Sequence, residues 1–131
     1  MEFINVHPAL PMAQWPEARL REWLEFHNAQ GSLYLTCADG WLTGLAIGYQ
    51  VRHADLEQPW PVATPSGECF FIAQLIADNP QAALGIWTQW AERVRGWRQL
   101  KVYGHRRGKL RRITMRQIDR MCRLWKRKLE D

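Results

Sequence analysis

The segment Ser66-Gly67-Glu68-Cys69-Phe70-Phe71-Ile72-Ala73-Gln74-Leu75-Ile76-Ala77-Asp78-Asn79-Pro80 decides the fold. It opens on a turn and then runs from Cys69 to Ala77 without an acidic or basic side chain. An uncharged, largely apolar run between turn signals predicts a β-strand buried on both faces. Asp78-Asn79-Pro80 stops it, and a helical pattern begins at once. Asn79 suits the capping position because its side chain can accept a hydrogen bond from an orphan N–H, and Pro80 suits the first helical position. The centre of the chain is therefore a strand that feeds directly into a helix N-terminus. Such a junction carries partial positive charge and free N–H donors, which favour phosphate or carboxylate. The same junction also serves cores that bind nothing.

Working back from this strand, residues 41–51 and 32–38 flank Asp39-Gly40, a strong signal for a two-residue hairpin. In the second hairpin strand Trp41, Thr43, Leu45, Ile47, Tyr49 and Val51 share one face, and Leu42, Gly44, Ala46 and Gly48 share the other. So bare a face predicts either a close approach by a ligand or another backbone, or a bulge. Residues 16–28 read as a helix, with Leu20, Trp23, Leu24 and His27 at one-face spacing and Gly31 after its end. His27 reads as a packed or capping side chain. Residues 2–6 read as a short first strand, and Pro8 and Pro11 then break the chain. Residues 52–65 hold Pro59, Pro61 and Pro65 and read as a surface loop, either a flap or a connection.

Working forward, residues 80 to about 96 read as a helix with Ala83, Ile86, Trp87, Trp90, Val94 and Trp97 on one stripe, most simply core. Residues 99–103 read as a short strand, residues 104–109 as a basic turn, and residues 110–113 as a return strand. Thr114 then caps a final helix, whose stripe is Met115, Ile118, Cys122, Trp125 and Leu129. Arg116, Arg120, Arg123, Lys126 and Arg127 lie off that stripe. The predicted order is β-α-β-β-β-α-β-(β)-α, with no repeat and no visible boundary, so one domain covering residues 1–131 is expected.

Charge is split along the chain. Residues 1–92 hold three Lys/Arg and ten Asp/Glu, whereas residues 93–131 hold fifteen and three, for the net +5 of the whole. A field of that kind predicts an acidic partner: nucleic acid, an anionic membrane, an acidic carrier protein or a phosphorylated cofactor. No window is apolar enough for a membrane span. The N-terminal residues lack a basic region and an apolar core, so no signal peptide is expected. Cys37, Cys69 and Cys122 are scattered and odd in number, which predicts neither a disulfide framework nor a metal knuckle and suits a reducing cytoplasm.

Several stretches are similar to a known family. Trp15-Pro16 before an apolar helix, Leu33-Tyr34-Leu35-Thr36, Ser66-Gly67 followed by Ile76-Ala77, and Arg98-Gln99-Leu100-Lys101-Val102 with Gly108-Lys109 behind it occur in this order. Together they resemble the toxin-activating lysine acyltransferases, which share the GNAT acyltransferase core. The resemblance implies an α+β fold with a GNAT-like core, a mixed β-sheet flanked by helices. It implies acyl transfer from acyl carrier protein or acyl-CoA to a lysine or other amine, with no metal. The implied partners are an acidic carrier protein docked by the basic C-terminal region, a protein substrate and a second copy of the chain. The chain departs from the family at its catalytic pair. The family's His, three residues before Trp-Pro, is Met12 here, and its Asp, two residues before Ile-Ala, is Gln74. Neither takes a proton near neutral pH.

Two alternatives follow: a binding protein of the same fold without catalysis, and a nucleic-acid-binding protein acting through residues 93–128. For acyl transfer the amine must be neutral, the thioester carbonyl polarised and both held in place. Ile76, Ala77, Asp78, Asn79 and Gly85 are the expected cofactor-binding positions, although Asp78 would oppose a phosphate. His7 is the candidate substitute base and Glu68 a second one. Tyr103, with His105 nearby, is the candidate general acid, and Gln74 is placed to orient a carbonyl.

Overall fold

The computed structural model describes residues 15–130. The expected strand at 2–6, His7 and Met12 lie outside them. The chain divides into two compact units, Met1–Leu33 and Tyr34–Asp131.

The described part of the first unit is built on helix α1 (Glu17–Ala29). Pro16 stands at its N-cap, Glu17 lies in its first turn, and the Arg19 guanidinium sits 4.2 Å over the Trp15 ring. His27 is buried, its Nδ1 2.9 Å from Ser32 Oγ, while the Ser32 N–H donates to the His27 carbonyl at 2.9 Å. The histidine thus closes the helix end. Burial holds its imidazole below its ordinary pKa.

The second unit is α+β: an open mixed sheet of five strands in sequential order, β1 (Leu33–Ala38), β2 (Trp41–Val51), β3 (Cys69–Ala77), β4 (Lys101–Arg106) and β5 (Lys109–Ile113). Two helices belong to it, α2 (Pro80–Arg93) and α3 (Met115–Glu130), so three helices are described in all. No helix of the described residues is long and apolar enough to cross a membrane. β2 and β3 are antiparallel, β3 and β4 parallel, and β4 and β5 antiparallel. Helix α2 is the crossover between the parallel pair. Asp39 and Gly40 have φ of 53° and 80°, the positive pair that a two-residue turn matching strand twist requires. Arg107 and Gly108 repeat it at 54° and 74°.

One face of the sheet packs on α2 and α3. Ala46, Phe70, Ile72 and Val102 meet Tyr34, Ile86, Trp87, Trp90, Trp97 and Ile118 there. Phe70 sits edge-on to Trp90 and Trp97 with centroids 5.3 and 5.2 Å apart. This explains the bare face of β2. A Cβ at Gly48 would lie 2.5 Å from Phe70 Cζ and 3.2 Å from Trp90 Cζ2. The space is filled by aromatic side chains, and the register also shifts between Ile47 and Gly48. The opposite face gathers Val51, Cys69 and Phe71 with Leu56, Tyr49, Ala73, Tyr103 and Leu110.

Two boundaries differ from expectation, and one open alternative is decided. Helix α2 ends at Arg93: Val94 leaves helical geometry (φ −87°, ψ 111°), Gly96 turns left-handed at φ 70°, and Trp97–Gln99 form a separate 3-10 turn. β4 runs on to Arg106, so the expected six-residue basic turn shrinks to Arg107-Gly108, because cross-strand pairing of Gly104, His105 and Arg106 with Arg111, Leu110 and Lys109 extends the ladder. Loop 52–65 is a pinned connection. Asp55 is buried and accepts from Arg52 Nε at 3.0 Å, Leu56 is core, and the Thr64 N–H donates to the Gln50 carbonyl at 2.8 Å.

Candidate functional site

β3 and β4 share four rungs, Cys69 with Lys101, Phe70 with Val102, Phe71 with Tyr103 and Ile72 with Gly104. Beyond the last, β3 continues to Ala77 and β4 to Arg106 without pairing to each other. The change coincides with a bulge. On β2, Ile47 faces Gln74 and Gly48 faces Ile72, so Ala73 is one extra residue on β3. A bulge bends its strand and raises its twist. It also re-aims Gln74, which shares the Ile47 side of the sheet, away from α2.

β3 ends in a built helix start. The Asp78 N–H donates to the Thr43 carbonyl at 2.9 Å, extending the β2–β3 ladder. Asn79 Oδ1 accepts the Ala82 N–H at 2.8 Å, and Pro80 occupies the first turn. The strand Cys69–Ala77 and its capped junction thus stand as the sequence predicts. A cavity of about 190 Å³ opens beside this junction, lined by Thr36, Cys37, Ala38, Thr43, Asn79, Gln81, Ala82 and Gly85. Asn79 and Gly85 therefore come together, while Ile76, Ala77 and Asp78 do not line the cavity. A Cβ at Gly85 would lie 3.0 Å from Thr36 Cγ2, so its small size lets β1 approach the helix. The Ile76 side chain is buried opposite Leu45.

A second constellation lies on the sheet face away from α2. The His53 ring rests edge-on to Tyr103 with centroids 6.0 Å apart, and its Nδ1 is 3.9 Å from Cys69 Sγ. The His53 backbone N–H donates to Glu68 Oε1 at 2.7 Å. That bond holds the Glu68 carboxyl below its ordinary pKa. Burial, then the Glu68 charge, pushes the Cys69 thiol up, so it is no thiolate nucleophile. Burial also pushes the Tyr49 phenol up to about 12. His105 packs against Phe71 at 5.6 Å.

Tyr103 stands within β4 as expected, and His105, expected in the basic turn, stands there too. Tyr103 and Gln74 share a face, and His7 lies outside the described residues. His53 was missed. It sits in a proline-rich loop, and only the 3-10 turn His53–Asp55, invisible in spacing, carries it to Tyr103. No group of three metal-ligating side chains occurs among the described residues. Comparison with protein-family models, with curated proteins and with solved structures finds no match.

Proposed function

We propose that this chain is an acyltransferase-like protein of GNAT-like fold, taking an acyl group from acyl-CoA or acyl carrier protein and giving it to a lysine or other amine. One observation carries the reading: the parallel pair β3 and β4 parts after four rungs, and β3 then leads into the capped start of α2. A phosphopantetheine arm is an extended chain with two amides. It can enter between diverging strands as an added strand does, through backbone hydrogen bonds. Residues 73–77 offer that backbone edge, and the start of α2 lies beyond it. Arg106 and Arg107, at the far end of β4, add positive charge for a phosphate.

Proton transfer falls to the group beside the wedge. Tyr103 is the candidate acid, and the exposed His53 imidazole against it is the candidate base. Gln74 can donate from its amide to a thioester carbonyl, which polarises it without changing protonation. The test is thermal denaturation and a transfer assay with acyl-CoA and with acylated carrier protein, alongside mass spectrometry of the native purified protein for a retained pantetheine ligand or acyl adduct. Stabilisation and transfer by either donor are expected; no shift and no transfer with both ends the reading.

A second reading rests on Met12 and Gln74, which replace the two residues that the resemblance makes catalytic. In it the fold binds the donor without turning it over. Donor binding without transfer, together with activity gained by the double variant Met12→His/Gln74→Asp, would establish that form.

A further inference from the structure

We propose that the outward face of α3 is a docking surface for duplex nucleic acid, gripping its phosphates without reading its bases. Arg116, Arg120, Arg123 and Arg127 recur at helical spacings of four, three and four. At 3.6 residues per turn they fall within about 60° of arc and span about 17 Å of axis. The opposite side of α3 is fixed: Met115, Ile118, Met121, Cys122 and Trp125 pack into the core. All four arginines are exposed, and Lys126 and Lys128 flank them.

This face differs from a merely solvated one in three ways. The four arginines form no ion pair among the described residues. Of the two acidic residues in the helix, Glu130 ends it and Asp119 is held by Arg98 through two bonds of 2.9 Å, with Arg123 adding a weaker attraction. Arg116 with Arg120, and Arg123 with Arg127, are like charges at four-residue spacing, which weakens a helix. The first turn holds Arg116 and no acid, against the helix dipole. Basic side chains outnumber acidic ones along this helix, and an anionic partner would relieve their mutual repulsion.

The chemistry favours a duplex. Arginine is matched to phosphate by its planar fork of donors. Single-strand binding relies on aromatic platforms on which bases stack. The exposed large hydrophobics of this helix are Leu124 and Leu129, and its one aromatic residue, Trp125, is half-buried and packs against the core. The stripe lacks Asn or Gln for adenine edges, and its arginines, which can also meet guanine edges, are assigned to phosphates. The inference does not rest on acyl transfer: it assigns to a duplex the basic C-terminal region that the family resemblance would give to an acidic carrier protein.

The experiment is fluorescence anisotropy of the full chain with labelled 20-base-pair DNA and RNA duplexes and with one strand alone, at 50 and 200 mM salt. Four phosphate contacts predict a loss of about 100-fold in duplex affinity between those salts. The variant Arg116→Gln/Arg120→Gln/Arg123→Gln/Arg127→Gln should lose most binding and most of the salt slope while keeping its melting curve. The corresponding four Arg→Lys changes should keep the slope and bind more weakly. Arg21→Gln, on α1, should bind as the parent does. The proposal is overturned by no duplex binding at 50 mM salt, by an unaffected Gln variant, by tighter binding of the single strand, or by polyglutamate competing equally per charge.

Discussion

Ile72 and Gly104 face each other across the last rung that β3 and β4 share. One residue later Ala73 bulges, and the two strands part. Donor binding in that wedge predicts a local signature in hydrogen exchange. Adding acyl-CoA should slow amide exchange at residues 73–77 and 105–106 and leave α1 unchanged. Protection elsewhere, with none in β3, would move the donor out of the wedge.

Gly48 lies tighter against Phe70 than Gly104 does against Ile72. Gly48→Ala should destabilise the chain by about 1–3 kcal/mol through overpacking. Its Cβ would lie 2.5 and 2.7 Å from the Phe70 ring. Gly104→Ala should be tolerated, because its nearest contact would be Ile72 Cβ at 3.6 Å. Urea denaturation of both variants separates a filled position from one with room for a methyl group; equal midpoints would show that Phe70 can turn aside.

Both helices of the second unit begin on side-chain caps. Asn79 Oδ1 accepts the Ala82 N–H at 2.8 Å, Thr114 Oγ1 accepts the Gln117 N–H at 3.1 Å, and Gln117 Oε1 accepts the Thr114 N–H at 2.8 Å. Asn79→Ala and Thr114→Ala should each cost about 1 kcal/mol, whereas Asn79→Asp should hold. The readout is again the denaturation midpoint.

Acid should act in two stages. His27 is held below its ordinary pKa of 6.5 by burial, so the unfolded chain takes up its proton first, and stability begins to fall as pH drops through about that value. Asp119 is lowered by its bonds from Arg98, and Glu68 by the His53 N–H. The stability they lend is complete above their ordinary values of 3.8 and 4.5 and is lost as pH falls through the lower folded values. Stability measured from pH 8 to 2 should lose its upper stage in His27→Gln. It should lose most of its lower stage in Asp119→Asn/Glu68→Gln.

The three thiols should react at different rates. Cys37 is exposed, whereas burial raises the pKa of Cys69 and Cys122. A thiol reagent at pH 8 should label one cysteine quickly and the others only on unfolding. Three fast thiols would mean that the core around Phe71 and Trp125 opens readily.

The sequence by itself determined the elements: the uncharged run from Cys69, the Asn79-Pro80 start, the Asp39-Gly40 turn and the two apolar helical stripes. Each is a local signal, set by side-chain periodicity, capping chemistry or the need for positive φ. It also determined where charge accumulates, because the arginine spacing on α3 follows from helical geometry alone. The remaining features arise from contacts between distant segments. The bulge at Ala73 depends on register between β2 and β3, and the parting of β3 from β4 depends on where a parallel ladder stops. Neither leaves a mark in local periodicity. The meeting of His53 with Tyr103 joins residues far apart in the chain, and the role of Gly48 is set by Phe70 and Trp90 across the core. Such choices are made by packing between distant segments, which is why the candidate site was less legible than the fold that holds it.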